Sequence, residues 1–427
     1  MIRLPGLLKR FIGFSGLQLL SSLAPLVLLP VLARAAGAPG WASIAVGQSI
    51  GILVAAVAMY GWGVVGPVLV AAGDEGERWY QYRASLVSRI ALLAITLPIG
   101  CTVALVTAAP GFRAVSVLMV CAQSFGALSP AWYAIGIGRP SLIMSYDTGP
   151  RLIAVLTSAG LLLLGAPLIT YPILLLVSYV AGTALVTLRL SRTRGPEVTQ
   201  RYGPSAMLHD IKTTLVTQAA PAGAQIAGAS YGGATVAVVG IFATTAATAE
   251  FASADKLYRF SLTAVVAVGN TFQGWVAELP FPQSRRRMGF SLATLGAIGL
   301  TGGLALFLLG HWATTLLFDD ALAASARTSL WYGVAFLAIC LSTSLGRHIL
   351  VPLGKTKHLL NATILGAVIG LPAMAFLSKA FGASGGAAGY AVSEVVGTSI
   401  LALIVWRSVR RTTTAPGAGD DGKDIHD

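Results

Sequence analysis

The sequence predicts an all-α polytopic membrane protein of about twelve transmembrane helices in two six-helix lobes, and three observations carry that prediction. Of 427 residues, 55% are hydrophobic and 11% charged, against roughly 25% charged in soluble domains, and mean hydropathy is +0.77. The apolar residues fall mostly in runs of about 20 to 25 between short polar breaks, the length that carries a helix across about 30 Å of hydrocarbon. The alternation expected of membrane β-strands is absent from these runs, so helices must satisfy the lipid-exposed backbone.

In chain order the runs are 11–33, 41–70, 84–108, 113–137, 141–165, 170–190, 212–240, 255–280, 288–310, 329–352, 358–378 and 386–407. The first follows the basic opening "MIRLPGLLKRF" and ends near "ARA" at 33–35, a pattern resembling a signal peptide. A run from Phe11 to Ala33 exceeds the roughly 7–15 residues of a signal core, so it reads as an uncleaved helix. Pro25, Pro30, Pro67, Pro172, Pro221 and Pro372 lie within or at the edges of spans, where a missing N–H produces kinks. Trp41, Trp62, Trp132, Trp312, Trp331 and Trp406 lie near predicted ends and suit the aromatic belt at the membrane interface.

The longest polar interruption, "RLSRTRGPEVTQRYGPSAMLHDIK" at 189–212, separates six spans from six. It divides the chain into an N-terminal lobe (1–190), a cytoplasmic linker (191–211), a C-terminal lobe (212–408) and a tail (409–427). The tail is polar, rich in Gly and Asp and without apolar periodicity, which predicts disorder.

Net charge is +13, and its distribution matters more than its size. An even number of spans puts both termini on one side, and placing them in the cytoplasm gathers about 20 of the 29 Lys and Arg there. The basic excess is thus an orientation signal for a cytoplasmic-membrane protein and not a footprint for nucleic acid. Cys101, Cys121 and Cys340 lie within spans, with neither paired spacing nor nearby His to make a metal set. His209, His311, His348, His358 and His426 are scattered near span ends. "LGKT" at 353–356 resembles the end of a phosphate loop, but Ile349 stands where its first Gly must be, and HExxH is absent. No enzyme activity and no cofactor are expected.

That leaves the intramembrane charges, each costing about 2.5–3.5 kcal/mol at a helix centre on the insertion scale. In "AEFASADKLYRFSL" Asp255 and Arg259 are four apart and share a helix face, with Lys256 beside them. The acid and Arg259 neutralise each other, which leaves Lys256 as surplus. Asp147 and Arg151 repeat the spacing in "MSYDTGPRLIAV", around Pro150. Arg34, Arg89, Arg347 and Glu394 stand alone in their spans.

Two readings fit these residues. In one, Asp147–Arg151 and Asp255–Arg259 are salt bridges that lock helices together, while Arg34, Arg89 and Arg347 snorkel to headgroups, the account favoured for Arg89 and Arg347. In the other, Arg34, Arg151, Lys256 and Arg259 line a cationic central cavity suited to an anion, above all a phosphate or pyrophosphate gripped by paired hydrogen bonds. Glu394 is then a candidate for proton or sodium coupling, and Arg259→Ala removes transport while leaving protein abundance intact.

The segments "LAPLVLLPVLARAAGAPGWASIAVGQSI", "SPAWYAIGIGRPSLIMSYDTGPRLIAVL" and "AEFASADKLYRFSLTAVV" resemble parts of polysaccharide biosynthesis flippases, the O-antigen (Wzx-type) branch of the multidrug/oligosaccharidyl-lipid/polysaccharide (MOP) exporter superfamily. The resemblance implies a V-shaped, two-lobe transporter that moves an undecaprenyl-pyrophosphate-linked oligosaccharide from the inner to the outer leaflet. Arg34 and Lys256 with Arg259 would face its cavity, and membrane lipids and polysaccharide polymerase or export proteins would be its partners. Trp41 stands where members more often carry Phe or Tyr followed by Gly, and "WYAIGIGRP" lacks the usual Gln before its Gly. The alternatives are a cation-coupled drug antiporter of the same superfamily and a membrane polysaccharide polymerase or ligase. The latter calls for a sizeable outer loop, whereas the longest here is 311–328.

Overall fold

The computed structural model describes residues 25–192, 232–279 and 283–413, with isolated positions between 216 and 228. Most of the expected first and seventh spans, the linker from 193 onward and the tail beyond 413 lie outside the described residues, as do Pro221, His209 and His426. Every regular element among the described residues is helical.

The first half comprises α1 (Pro25–Met59), α2 (Trp62–Ala72), α3 (Glu75–Thr107), α4 (Arg113–Phe125), α5 (Ala131–Gly136), α6 (Pro140–Ile143), α7 (Gly149–Leu163) and α8 (Thr170–Arg192). The second comprises α9 (Thr235–Phe242), α10 (Thr245–Ala277), α11 (Arg285–Phe318), α12 (Ala326–Thr343) and α13 (Thr356–Thr413). Wider π-helical turns at Met144–Thr148 and Ser344–Leu350 follow α6 and α12.

Seven stretches among the described residues are long and apolar enough to cross a membrane, and two of them, Val27–Ala72 and Lys357–Ser408, run to 46 and 52 residues. At 1.5 Å per residue each is about twice the length that ~30 Å of hydrocarbon requires. Both turn at a glycine in the left-handed region, Gly37 (φ 59°) and Gly382 (φ 61°), a conformation open to glycine because it has no Cβ. The bend at Gly382 falls between the spans expected at 358–378 and 386–407.

Elsewhere the expected spans correspond to helices with shifted ends: α3 begins at Glu75 and not at 84, α11 runs to Phe318 and not to 310, and a turn at Tyr60–Gly61 interrupts the span expected at 41–70. Two further departures are of consequence. Helix α10 begins about ten residues before the expected 255, because Thr244 caps it by accepting from the Ala247 amide at 3.3 Å. Asp255, Lys256 and Arg259 therefore sit well inside a helix and not at its start. The expected fourth span is broken, with a 3₁₀ turn at Gly126–Leu128 followed by Ser129 and Pro130 before α5.

The break explains Arg89, which does not snorkel as expected: it is 0% exposed. Its Nη1 donates to the carbonyls of Ala127 (2.7 Å) and Ser129 (3.1 Å), its Nε to Ser85 O (3.1 Å), and its guanidinium lies 5.7 Å from the Trp132 ring centroid. Carbonyls released by a helix break need a donor where water is excluded, and Arg89 supplies it. Arg347, by contrast, is exposed. The expected aromatic belt also divides: Trp312, Trp331 and Trp406 are exposed, whereas Trp41, Trp62 and Trp132 are buried. Trp62 donates to Ser88 Oγ at 3.1 Å and packs against Trp132 with ring centroids 5.5 Å apart, so both belong to helix packing. The sulfurs of Cys101 and Cys121 lie 3.8 Å apart between α3 and α4, a proximity that their sequence spacing does not announce.

The most extensive helix pairing, α11 with α12, closes on glycine: a Cβ at Gly303 would stand 2.6 Å from Gly333 O. Gly303→Val is expected to destabilise the protein by about 1–3 kcal/mol through overpacking, read as a lower melting temperature in detergent. An unchanged melting temperature would show that the two helices separate freely.

Candidate functional site

Helix α1 carries the principal contacts between the first half and the second, reaching α9, α10, α11 and the turn at Asp320–Leu322. On α10, Lys256 lies three turns, about 16 Å, from Thr245. Gln48 on α1 is as far from the bend at Gly37, and the two residues meet where the halves touch.

Around this level lie two cavities. One, of ≈ 240 Å³, is bordered by α1, α8 and α10, and its apolar lining includes Leu28, Leu32, Trp41, Tyr171 and Phe260. The other, of ≈ 250 Å³, lies between α1, α10 and the start of α9, and is lined in part by Ser49, Gly232, Gly233 and Asp255. Gln48, Lys256 and Arg259 line both.

Asp255 and Arg259 form the ion pair their spacing predicts, with Nε to Oδ2 at 2.6 Å and Nη2 to Oδ1 at 3.0 Å. Nη2 also donates to Thr235 Oγ1 at 3.1 Å and to the Gly232 carbonyl. Asp255 accepts further from Thr235 and from the Tyr332 hydroxyl, each at 3.4 Å. Its side chain is 3% exposed, while that of Arg259 is 35% exposed, toward the cavities. The acid is thus a buried anchor, and the guanidinium it holds presents an edge to open space.

Lys256 is arranged differently. Its Nζ donates to Gln48 Oε1 at 2.6 Å, across the two halves, and among the described residues no carboxylate lies within ion-pair distance of it. With Asp255 committed to Arg259, the cavities carry one cation more than they have acids. Two other polar ties join the halves nearby: Trp41 Nε1 donates to Ser253 Oγ at 3.1 Å, and Ser49 Oγ donates to the Gly233 carbonyl while accepting from the Ala237 amide at 3.1 Å.

The other predicted residues are elsewhere. Arg34 is exposed near the bend of α1 and lines neither cavity. Arg151 pairs with Asp147 at 2.6 Å within the π-helical turn and α7, with its guanidinium 5.5 Å from the Tyr179 ring, and also lines neither cavity. Glu394 is buried beside Ser342, Thr363 and Thr398 around a separate cavity of ≈ 70 Å³ between α12 and α13. Residues that the sequence reading missed are Gln48, Thr235 and Tyr332. Gln48 had a signal: it is the one carboxamide in the apolar run 41–70.

The bent, all-helical bundle is similar in fold to solved transporters of the MOP superfamily. The solved structures it resembles include the lipid II flippase MurJ in an inward closed conformation (TM-score 0.67, 11% identity, covering 92% of this chain and 87% of that one). A multidrug resistance MATE family transporter of the MOP superfamily, in an inward-facing conformation, gives a TM-score of 0.65 at 15% identity over 92% of this chain and 96% of that one. A Vibrio cholerae MATE transporter gives 0.50 at 15% identity over 94% and 97%. No protein-family model and no curated protein sequence matches the chain.

Proposed function

We propose that this chain is a flippase that carries an anionic lipid-linked oligosaccharide, of the undecaprenyl-pyrophosphate type, across the cytoplasmic membrane. The observation that supports it most is Lys256: a cation between the two halves, hydrogen-bonded to a neutral amide, beside an arginine that faces the same two cavities. A cation so placed is costly unless a ligand compensates it, and the compensating ligand is an anion. Arg259 offers planar donors that suit a phosphate oxygen, and Lys256 offers a point charge. The apolar wall of the ≈ 240 Å³ cavity suits the lipid-proximal part of such a cargo, whose tail stays in the bilayer while the glycan and pyrophosphate pass between the halves. Translocation then needs rearrangement of the halves and no covalent step.

The test is leaflet accessibility of a fluorescent undecaprenyl-pyrophosphate oligosaccharide in proteoliposomes. Exchange faster than in protein-free vesicles is expected, and exchange at the protein-free rate would defeat the proposal. A second reading, a cation-coupled antiporter of small molecules, is favoured by Glu394 and the hydroxyls around its small cavity, a setting suited to a proton or sodium ion. Restored drug resistance in an efflux-deficient strain, with no oligosaccharide exchange, would select it.

A further inference from the structure

The two cavities share a wall, and part of that wall is a single hydrogen bond. Gln48, Lys256 and Arg259 border both, yet the two chambers differ in chemistry: leucines, Trp41 and Phe260 on one side, Ser49, Asp255 and the glycine backbone of 232–233 on the other. Arg259 is held by Asp255, Thr235 and the Gly232 carbonyl and is fixed in place. The Gln48–Lys256 bond, at 2.6 Å, is built from two long flexible side chains and joins residues 208 positions apart.

We propose that Gln48 is a removable partition: an anionic amphiphile entering the apolar chamber takes Lys256 away from the Gln48 carboxamide and joins the two chambers into one binding site. An ammonium has three donors and no acceptor, and it prefers an ionised oxygen to a neutral carbonyl because both partners are then charged. The amide is therefore a placeholder that gives the half-buried ammonium one acceptor when the site is empty, leaves its charge unbalanced and yields to an anion. The ligand class follows from the walls: an apolar portion against Leu28, Leu32 and Phe260, an anionic group at Lys256 and Arg259, and a hydrophilic portion beside Ser49 and Gly233. The bond also spans α1 and α10, so the same exchange removes one of the ties between the halves and leaves those of Trp41 and Ser49. Cargo arrival is thereby coupled to loosening of the contact between α1 and α10.

This inference rests on the anionic-cargo reading. Its test is calorimetric binding of farnesyl diphosphate and of inorganic diphosphate to the purified full chain in detergent, in wild type, Gln48→Ala and Gln48→Glu, each shown to be monodisperse with a cooperative melt. Wild type is expected to bind farnesyl diphosphate more tightly than inorganic diphosphate. Gln48→Ala, which removes the competitor, should bind as tightly or more tightly. Gln48→Glu, whose new carboxylate holds Lys256 as an ion pair, should lose about tenfold or more in affinity. Undiminished binding in Gln48→Glu, or a loss in Gln48→Ala, overturns the partition while leaving the anion site standing. Wild type binding neither diphosphate defeats the anionic-cargo reading itself.

Discussion

Lys256→Met is expected to abolish measurable exchange of a lipid-linked oligosaccharide while leaving the protein as stable as wild type, or more so. The two effects have one cause. Lys256 is a half-buried charge whose described partner is the neutral Gln48 amide, so the folded protein carries its desolvation cost without a paired acid. Methionine fills nearly the same volume with no charge to desolvate. The cargo meanwhile loses a charge-assisted hydrogen bond worth about 1.5–3 kcal/mol, or roughly 10- to 150-fold in affinity, at the step that admits it. Proteoliposome exchange and a melting curve on the same preparation check both halves of the prediction. A parallel fall in exchange and melting temperature would make Lys256 a packing residue.

The opposite pattern is expected one turn along. Arg259→Ala should cost about 3 kcal/mol or more in stability, because Asp255, 3% exposed, is left buried without its counter-ion. Asp255→Ala should do comparable harm by stranding Arg259, with the cost lowered by the guanidinium's 35% exposure to the cavities. The double variant Asp255→Ala/Arg259→Ala should recover much of the loss, since removing both members of a buried pair is far less harmful than removing one. Abundance and melting temperature of the three variants form the cycle that measures this. The sequence alone led to a different expectation, that Arg259→Ala leaves abundance intact. The depth of Asp255 and its bonds to Thr235 and Tyr332 change it. Arg259→Lys should sit between the extremes, because one ammonium reaches the carboxylate but cannot also serve Thr235 and the Gly232 carbonyl as a planar fork does.

The contrast between these neighbours shows how far sequence reading reaches. The pairs Asp147–Arg151 and Asp255–Arg259 are legible because residues four apart on a helix must be adjacent, whatever the rest of the chain does. Lys256 as the surplus cation follows from the same local arithmetic. The helix break that buries Arg89 has a local sign in "FGALSP", yet nothing local says that the liberated carbonyls belong to an arginine some forty residues earlier. Trp41, Trp62 and Trp132 illustrate the same limit, since a tryptophan near a span end fits lipid headgroups and a helix interface equally well until the neighbouring helices are in place.

By itself, then, the sequence determined the solvent this protein lives in, the helical character of its spans and every charge pair within one turn. These follow from hydropathy, backbone satisfaction and the 3.6-residue period, all of them local. Only the tertiary structure decided which charges share a space: Lys256 with Gln48 across 208 positions, Arg259 beside both, Arg34 exposed away from the cavities, Arg151 and Glu394 in settings of their own. The physical reason is that lipid and helix interior are alike apolar, so a span shows no polar face to mark its outside. Which side looks inward is set by glycines, kinks and the fit of one helix against another.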